Sequence, residues 1–366
     1  MDNRIVMTLD AGGTKFNFSA IQDQEEIIKA VILPAQAKDL ESILKTIIEG
    51  FEQVKSRLNH QPVAISFSFP GPADYENGII GDLENLPQFK HGVALKAMLE
   101  YKFGIPVYIN NDGDLFAYGE AIGGFLPYIN NKLKENKNPR QYKNLLGVTF
   151  GTGFGGGIIS GGKLFRGDNS SAGEINRSRN KLYPLTSVED SVSIRGLKRV
   201  FAREAGLKAG ESPDPKELFD IAMGKTEGNK NAALTAFEEL SIVAGDCIAS
   251  AITLVDGLVV IGGGLSGAHP VFMKNLVEEM NRNFHSLDDK KLDRLELKAF
   301  NLEDPEDLSE FLDDSSREIQ VPFSNKKVTY DPVKRIGVGI SHLGTSKAAA
   351  IGAWAFALDQ LDKPEG

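Results

Sequence analysis

Two short glycine-rich stretches, DAGGTK (residues 10–15) and FGTGFGGG (150–157), each follow a buried-type apolar run and each lead straight into another strand-like run. A glycine turn between two strands is a hairpin, so the two halves of the chain open alike, an approximate internal repeat. That placement constrains the fold more than any composition figure does. Gly151, Gly153 and Gly156 satisfy the GxGxxG spacing, but the next residues (GGIISGGKLF) read as a strand pair, where a dinucleotide site needs a helix N-terminus. Residues 157–163 satisfy GxxxxGK, yet Leu164 stands where a Walker loop needs Ser or Thr, and no helix comes after it. Both motif readings fail on context.

The surrounding pattern is α/β. Apolar runs at 5–9, 16–21 and 27–33 predict three antiparallel strands. Asp39 then caps a stretch in which Leu40, Ile43, Leu44, Ile47, Ile48, Phe51 and Val54 share one helical face. A strand at 63–69, a helix at 95–103, a strand at 107–110 and a helix from about Asp114 complete the order βββαβαβα. The Lys- and Asn-rich residues 130–143 read as a solvent-exposed insertion. Beyond them, strands are expected at 145–150, 157–165 (a pair turning at Gly161-Gly162) and 258–261. Helices are expected near 191–205, 215–223, 232–254 and 348–361, with an acidic surface helix or loop at 304–314.

At 366 residues the chain exceeds the about 250–300 residues at which single cores stop growing, so two domains are expected. A formal charge of −9 without a basic cluster argues against a nucleic-acid partner, and the lack of a long apolar run argues against the membrane. The single cysteine, Cys247, excludes an intramolecular disulfide and a Cys-rich zinc site. A cytoplasmic location and a small-molecule partner are the resulting expectations. In both hairpin turns successive backbone N–H groups point into one concavity, and the missing Cβ atoms admit a polyphosphate. Asp10, at a strand end, reaches toward a phosphate-bridging Mg²⁺, directly or through water. Each turn taken alone also reads as a purely structural one.

DAGGTKF, SFPGP, NNDGD, GTGFGGG with AGEI (172–175), VVIGGGLS (259–266) and AAAIGAW (348–354) stand in the order and approximate spacing of the ROK family of sugar kinases and sugar-responsive repressors, which the chain resembles. The resemblance implies a two-domain α/β fold of the actin/hexokinase type, a duplicated ribonuclease H-like βββαβαβα unit with nucleotide and sugar in the cleft. The smaller domain would comprise residues 1–112 with the closing helix, 347–366, and the larger one residues 113–346. Gly12, Gly13, Thr14 and Lys15 resemble the family's first phosphate loop, Gly151, Thr152 and Gly153 its second, and Gly262, Gly263 and Gly264 the turn lining the adenosine. Glycine triplets also serve packing alone.

Asp112 matches the family's general base and Asn111 its sugar-bonding asparagine. Phosphoryl transfer to a hydroxyl needs such a carboxylate to orient the hydroxyl and take its proton. An N-cap role is the alternative for Asp112, with Asp114 competing for it. Gly71 in SFPGP, Glu174 in AGEI and Glu189 match substrate-binding positions, although a solvated surface role is open for Glu189. The expected activity is ATP- and Mg²⁺-dependent phosphorylation of a hexose or amino sugar at a primary hydroxyl. A non-catalytic sugar-sensing regulator without a DNA-binding domain is the runner-up, and a homodimer is open to either.

The chain departs from the family after AGEI. Where typical members carry Gly-His and a Cys-rich zinc segment, this sequence runs Asn176-Arg177 and has no cysteine nearby, so no structural zinc is expected. Arg177 replaces an acceptor-capable ring with a donor-only cation, which either meets acceptor oxygens of the sugar or ties the loop 176–186 to an acid.

Overall fold

In the computed structural model β1 (Val6–Ala11) and β2 (Lys15–Gln22), the strands on either side of the first glycine stretch, pair antiparallel from Val6↔Ile21 to Ala11↔Phe16. The structure describes all residues except 1, 13, 36–37, 70, 72, 82–87, 209 and 365–366. The third apolar run divides into β3 (Glu25–Glu26) and β4 (Val31–Pro34), because Asp23 and Gln24 turn the chain at positive φ and only Val31 onward pairs again with β2. α1 (Leu40–Ser56) starts where the Asp39 carboxylate accepts the Ser42 N–H at 2.8 Å. After β5 (Ala64–Ser68) comes a small sheet of two-residue strands, β6 (Ala73–Asp74), β7 (Ile79–Ile80) and β8 (Val93–Ala94). α2 (Leu95–Phe103), β9 (Val107–Asn110) and α3 (Asp112–Ile122) come next.

The second half runs α4 (Phe125–Glu135), β10 (Leu145–Phe150), β11 (Phe154–Ser160) and β12 (Lys163–Phe165), then α5 (Ile194–Ala205), α6 (Pro215–Ala222), α7 (Lys230–Val255) and β13 (Leu258–Gly262). It continues through α8 (His269–Met280), the hairpin β14 (Asn283–His285) with β15 (Lys291–Asp293), β16 (Lys298–Asn301) and α9 (Pro305–Leu312). A second hairpin of β17 (Arg317–Gln320) and β18 (Lys327–Tyr330), β19 (Arg335–Ile340) and α10 (Thr345–Leu361) close the chain.

Two compact units result: Met1–Gly124 with Gly157–Gly173 and Leu343–Gly366, and Phe125–Gly156 with Glu174–His342. α3, expected with the second domain, counts with the first because it packs along α10, and residues 157–173 count there too. The first unit is built on the sheet β3-β2-β1-β5-β9, with β4 also on β2; β5 is parallel to both β1 and β9. Alternation on β2 decides what lies on each face. Phe16, Phe18 and Ala20 enter a core where Phe18 meets Phe51 of α1 edge-on and Phe51 leads on to Phe67. Asn17, Ser19 and Ile21 point the other way and line a cavity against α10. In the second unit β13 is parallel to β10 and to β19, and β19 to β16.

The segment 130–143 is mostly exposed, as expected, but its start is helical and it is tied to the unit by side chains. α4 carries the helical period into it, so that Phe125, Leu126, Ile129 and Leu133 bury one face. Asn130 and Tyr142 exchange two hydrogen bonds, at 2.9 and 2.8 Å, and the buried Asn138 amide donates to the Leu312 and Asp313 carbonyls. In a sequence, polar side chains that satisfy backbone groups look the same as solvent-facing ones.

Candidate active site

Register places the first group of residues. Asp10 on β1 is paired with Ser68 on β5, and Ser68 with Asn110 on β9. All three strands are parallel, so these residues and the next two in the chain, Asn111 and Asp112, lie along the carboxyl edge where α/β sites form. The Asn111 side chain accepts the Gly113 N–H at 2.7 Å and is the N-cap of α3. Asp112 is therefore the first helical residue, not the cap, although its own Oδ1 also accepts the Gly113 N–H at 2.9 Å. Asp114, in the first turn of the helix, is buried, and the N-cap position belongs to Asn111.

The Asp112 carboxylate is open to solvent at its surface, yet a dense shell of protein atoms surrounds it. Desolvation by that shell raises its pKa above the ordinary 3.8, the Gly113 N–H pulls down, and the negative charge of Asp10 adds a smaller upward push. A carboxylate with a raised pKa beside a second carboxylate is a fit candidate for a base.

Asp10 itself is exposed and accepts the Ser346 hydroxyl from α10 at 3.0 Å through Oδ2. It borders a cavity of about 410 Å³ within this unit, whose polar lining includes Asn17, Ser68, Ser346 and Lys347. One accessible carboxylate next to a glycine turn suits Mg²⁺, which takes one or two carboxylates and completes its shell with phosphate and water oxygens. In that turn a Cβ on Gly12 would stand 3.0 Å from the Lys15 carbonyl, while Thr14 and Lys15 are exposed. Gly13 lies outside the described residues. Gly71 is exposed, and a Cβ there would press on the Tyr75 hydroxyl, which donates to the Phe69 carbonyl at 3.1 Å.

The second group belongs to the second unit. The turn after β10 and the turn after β13 are neighbours: a Cβ on Gly151 would lie 3.9 Å from the Gly264 nitrogen. Gly263, at φ +88°, has no room for a side chain because the Phe150 backbone fills the space, and the Leu265 N–H donates to the Phe150 carbonyl at 2.9 Å. Packing thus accounts for Gly263, whereas Gly264 is exposed with open space around it and Gly262 ends β13. Thr152 is exposed. Gly153 lies against Glu189, whose carboxylate accepts the Phe154 N–H at 3.1 Å, so Glu189 braces this glycine turn.

Glu174 precedes the 3₁₀ turn Ile175–Arg177, and Glu189 sits in a second one, Val188–Asp190. The Arg177 side chain is exposed and makes no hydrogen bond or ion pair among the described residues. It does not tie the loop to an acid; other residues do that.

Three residues escape a reading of the sequence. Ser346 orients Asp10, Arg166 donates to the buried Asn110 side chain at 3.3 Å while its guanidinium lies over the Phe356 ring, and Asn180 holds the loop after AGEI. Only Ser346, two residues before the AAAIGAW stretch, stands near a signal.

A model of the ROK family matches residues 6–298. The chain belongs to the ROK family. A crystal structure of glucokinase from Parabacteroides distasonis superposes with a TM-score of 0.88 at 52% identity, covering 98% of each chain. N-acetyl-D-glucosamine kinases from Vibrio cholerae and Vibrio parahaemolyticus are 30% and 29% identical, covering 70% and 72% of this chain and 83% and 85% of theirs. A ROK glucokinase from Streptomyces griseus, solved with glucose and AMPPNP, shares the fold at 19% identity and a TM-score of 0.59, over 96% of this chain and 98% of that one. The fold is accordingly the actin/hexokinase-like α/β one of ROK sugar kinases. Among the described residues no group of three or more His, Cys, Asp or Glu is placed to hold a metal, and no helix is long and apolar enough to cross a membrane.

Proposed function

We propose that this sugar kinase transfers the terminal phosphoryl group of ATP to a primary hydroxyl of a hexose or amino sugar, with Asp112 as general base. The carrying observation is the strand register that brings Asp10, Ser68 and the Asn111-Asp112 pair to one sheet edge, with the Asp112 pKa raised. With its pKa raised above the ordinary carboxylate value, the Asp112 carboxylate in its deprotonated form is a stronger base than a free one, suited to accept the hydroxyl proton as the new bond to phosphorus forms. Asn111 holds the start of α3 and so fixes where the base points. Within the second unit, Gly151 to Gly153 would offer backbone N–H groups to phosphate and Gly264 leaves space for the nucleoside; Gly12 and the exposed Thr14 and Lys15 offer the first unit's share of phosphate-binding groups. Asp10 would hold Mg²⁺, which when bound neutralises phosphate charge. The 52% identity to a glucokinase and the curated N-acetyl-D-glucosamine kinase relatives support both sugar classes as acceptors.

A coupled ADP-release assay over hexoses, N-acetylhexosamines and fructose tests this. ATP-dependent turnover on at least one sugar is expected. Sugar binding without turnover across the whole panel would favour the non-catalytic sensor instead.

The uncommitted donors of Arg177 give a second expected result. If they meet acceptor oxygens of the sugar, Arg177→Ala raises the sugar KM and costs about 1.5–3 kcal/mol in kcat/KM, the range of a charge-assisted hydrogen bond. The KM for ATP stays put. Kinetics equal to the parent on every sugar would remove Arg177 from the site.

A further inference from the structure

The loop that runs from Glu174 and returns to Glu189 is closed by one side chain. Asn180 is fully buried and uses both ends of its amide: Oδ1 accepts the N–H groups of Leu182 (2.9 Å) and Tyr183 (3.1 Å), and Nδ2 donates to the Ser187 carbonyl (3.3 Å) and the Ser191 hydroxyl (2.9 Å). Its backbone N–H donates to the Thr186 carbonyl, beside the bridge between Arg179 and Ser187. Four bonds satisfy the whole amide, so this buried polar group carries no desolvation debt as long as the loop keeps this shape.

From Asn180 the bonding continues into the helices. Ser191 donates to Glu239 of α7, a nearly buried carboxylate that also accepts the Tyr183 hydroxyl at 3.1 Å and the Arg203 guanidinium of α5 at 3.0 Å. Arg203 donates as well to the Tyr183 hydroxyl, at 2.6 Å. On the other side Lys181 pairs with Glu279 of α8, which is almost fully buried and is held by Arg282 at 3.1 Å. The loop is bolted to three helices by charged and polar groups. Its two ends are joined directly, the Val188 N–H donating to the Ser178 carbonyl at 2.9 Å, which ties the turn behind Glu174 to the turn that carries Glu189.

We propose that Asn180 is a positioning residue for sugar recognition: it locks the 178–191 loop against Glu239 and thereby sets where Glu174 and Glu189 present their carboxylates. This rests on the reading that those two glutamates bind the sugar. Carboxylates accept from vicinal hydroxyls only within narrow geometry, so freedom in the loop is felt in sugar affinity first. The network touches the nucleotide side at one end, where the Glu189 carboxylate accepts the Phe154 N–H beside the 151–153 turn; the turn at 12–15 makes no part of it.

Asn180→Ala tests the lock with two separate readouts. Amide hydrogen exchange in the intact protein should quicken across 178–191 and not in β10 or β13. The sugar KM should rise about tenfold, the scale of one buried hydrogen bond's removal, with a clearly smaller rise in the ATP KM, since the loop meets the phosphate turn only through Glu189. Tyr183→Phe, which keeps the ring and loses one link to Glu239, should show the same pattern more weakly, and serves if the alanine variant does not fold. Unchanged exchange in the loop would overturn the lock. Quickened exchange with equal effects on sugar and ATP KM, or none, would overturn the positioning role while leaving the activity standing. A parent protein that phosphorylates no sugar would remove the underlying reading, and with it the role of Asn180, before any substitution is made.

Discussion

Asp112→Asn is expected to lower kcat by at least about 10²-fold, the smaller end of what loss of a general base costs, while sugar and ATP still bind. Asn keeps an oxygen for the Gly113 N–H, so the start of α3 should survive. Stability should survive too. The folded protein holds the Asp112 pKa above its unfolded value, so the charged carboxylate opposes folding, and that penalty disappears as pH falls through the folded pKa. Removing the charge should therefore not lower the melting temperature electrostatically, and a melting temperature at or above the parent's separates loss of the base from misfolding. The same shift fixes a pH dependence. The base works only when deprotonated, so kcat/KM of the parent should fall on the acid side at a pH above the ordinary carboxylate value, and the residual rate of the variant should lack that limb. Turnover near the parent level, or an acid limb shared by both proteins, would remove Asp112 as the base.

How far the sequence can be read differs between the two units, and the reason is physical. In the first unit period and punctuation agree: the 3.6-residue period of α1, its Asp39 cap and the glycine turn after β1 each allow one local structure. The second half of the second unit offers no such agreement. β14, β15, β17 and β18 are short hairpin strands, mostly exposed, so no apolar alternation marks them. Within the candidate site, residues that act through their own local segment are readable: Asp10, the glycine turns and the Asn111-Asp112 pair. Ser346, Arg166 and Asn180 are not, because each acts on a partner far along the chain or through a buried amide whose sequence neighbours look like loop. Glu189 is the mixed case. Its position is readable, but not its bond to the Phe154 N–H, which makes one carboxylate serve the glycine turn as well as the loop.

The glycine of AAAIGAW yields the second large effect, on stability. α3 and α10 cross so closely that a Cβ on Gly352 would overlap the Leu115 carbonyl, and one on Gly119 would overlap the Ala348 carbonyl. Each helix spends a glycine where it meets the backbone of the other, and neither obstacle is a flexible side-chain end that can swing away. Two effects oppose each other in Gly352→Ala. Helix propensity favours alanine by about 0.8–1 kcal/mol. Overpacking a buried contact costs about 1–3 kcal/mol or more, and a backbone obstacle belongs at the upper end because relief requires the helices to separate. The clash should win, with a melting temperature several degrees below the parent by circular dichroism. α3 begins at Asp112, so helix separation should also displace the base, and kcat should fall although Gly352 touches no substrate. A melting temperature equal to or above the parent's would mean that propensity decides and that the two helices have room, against so close a crossing.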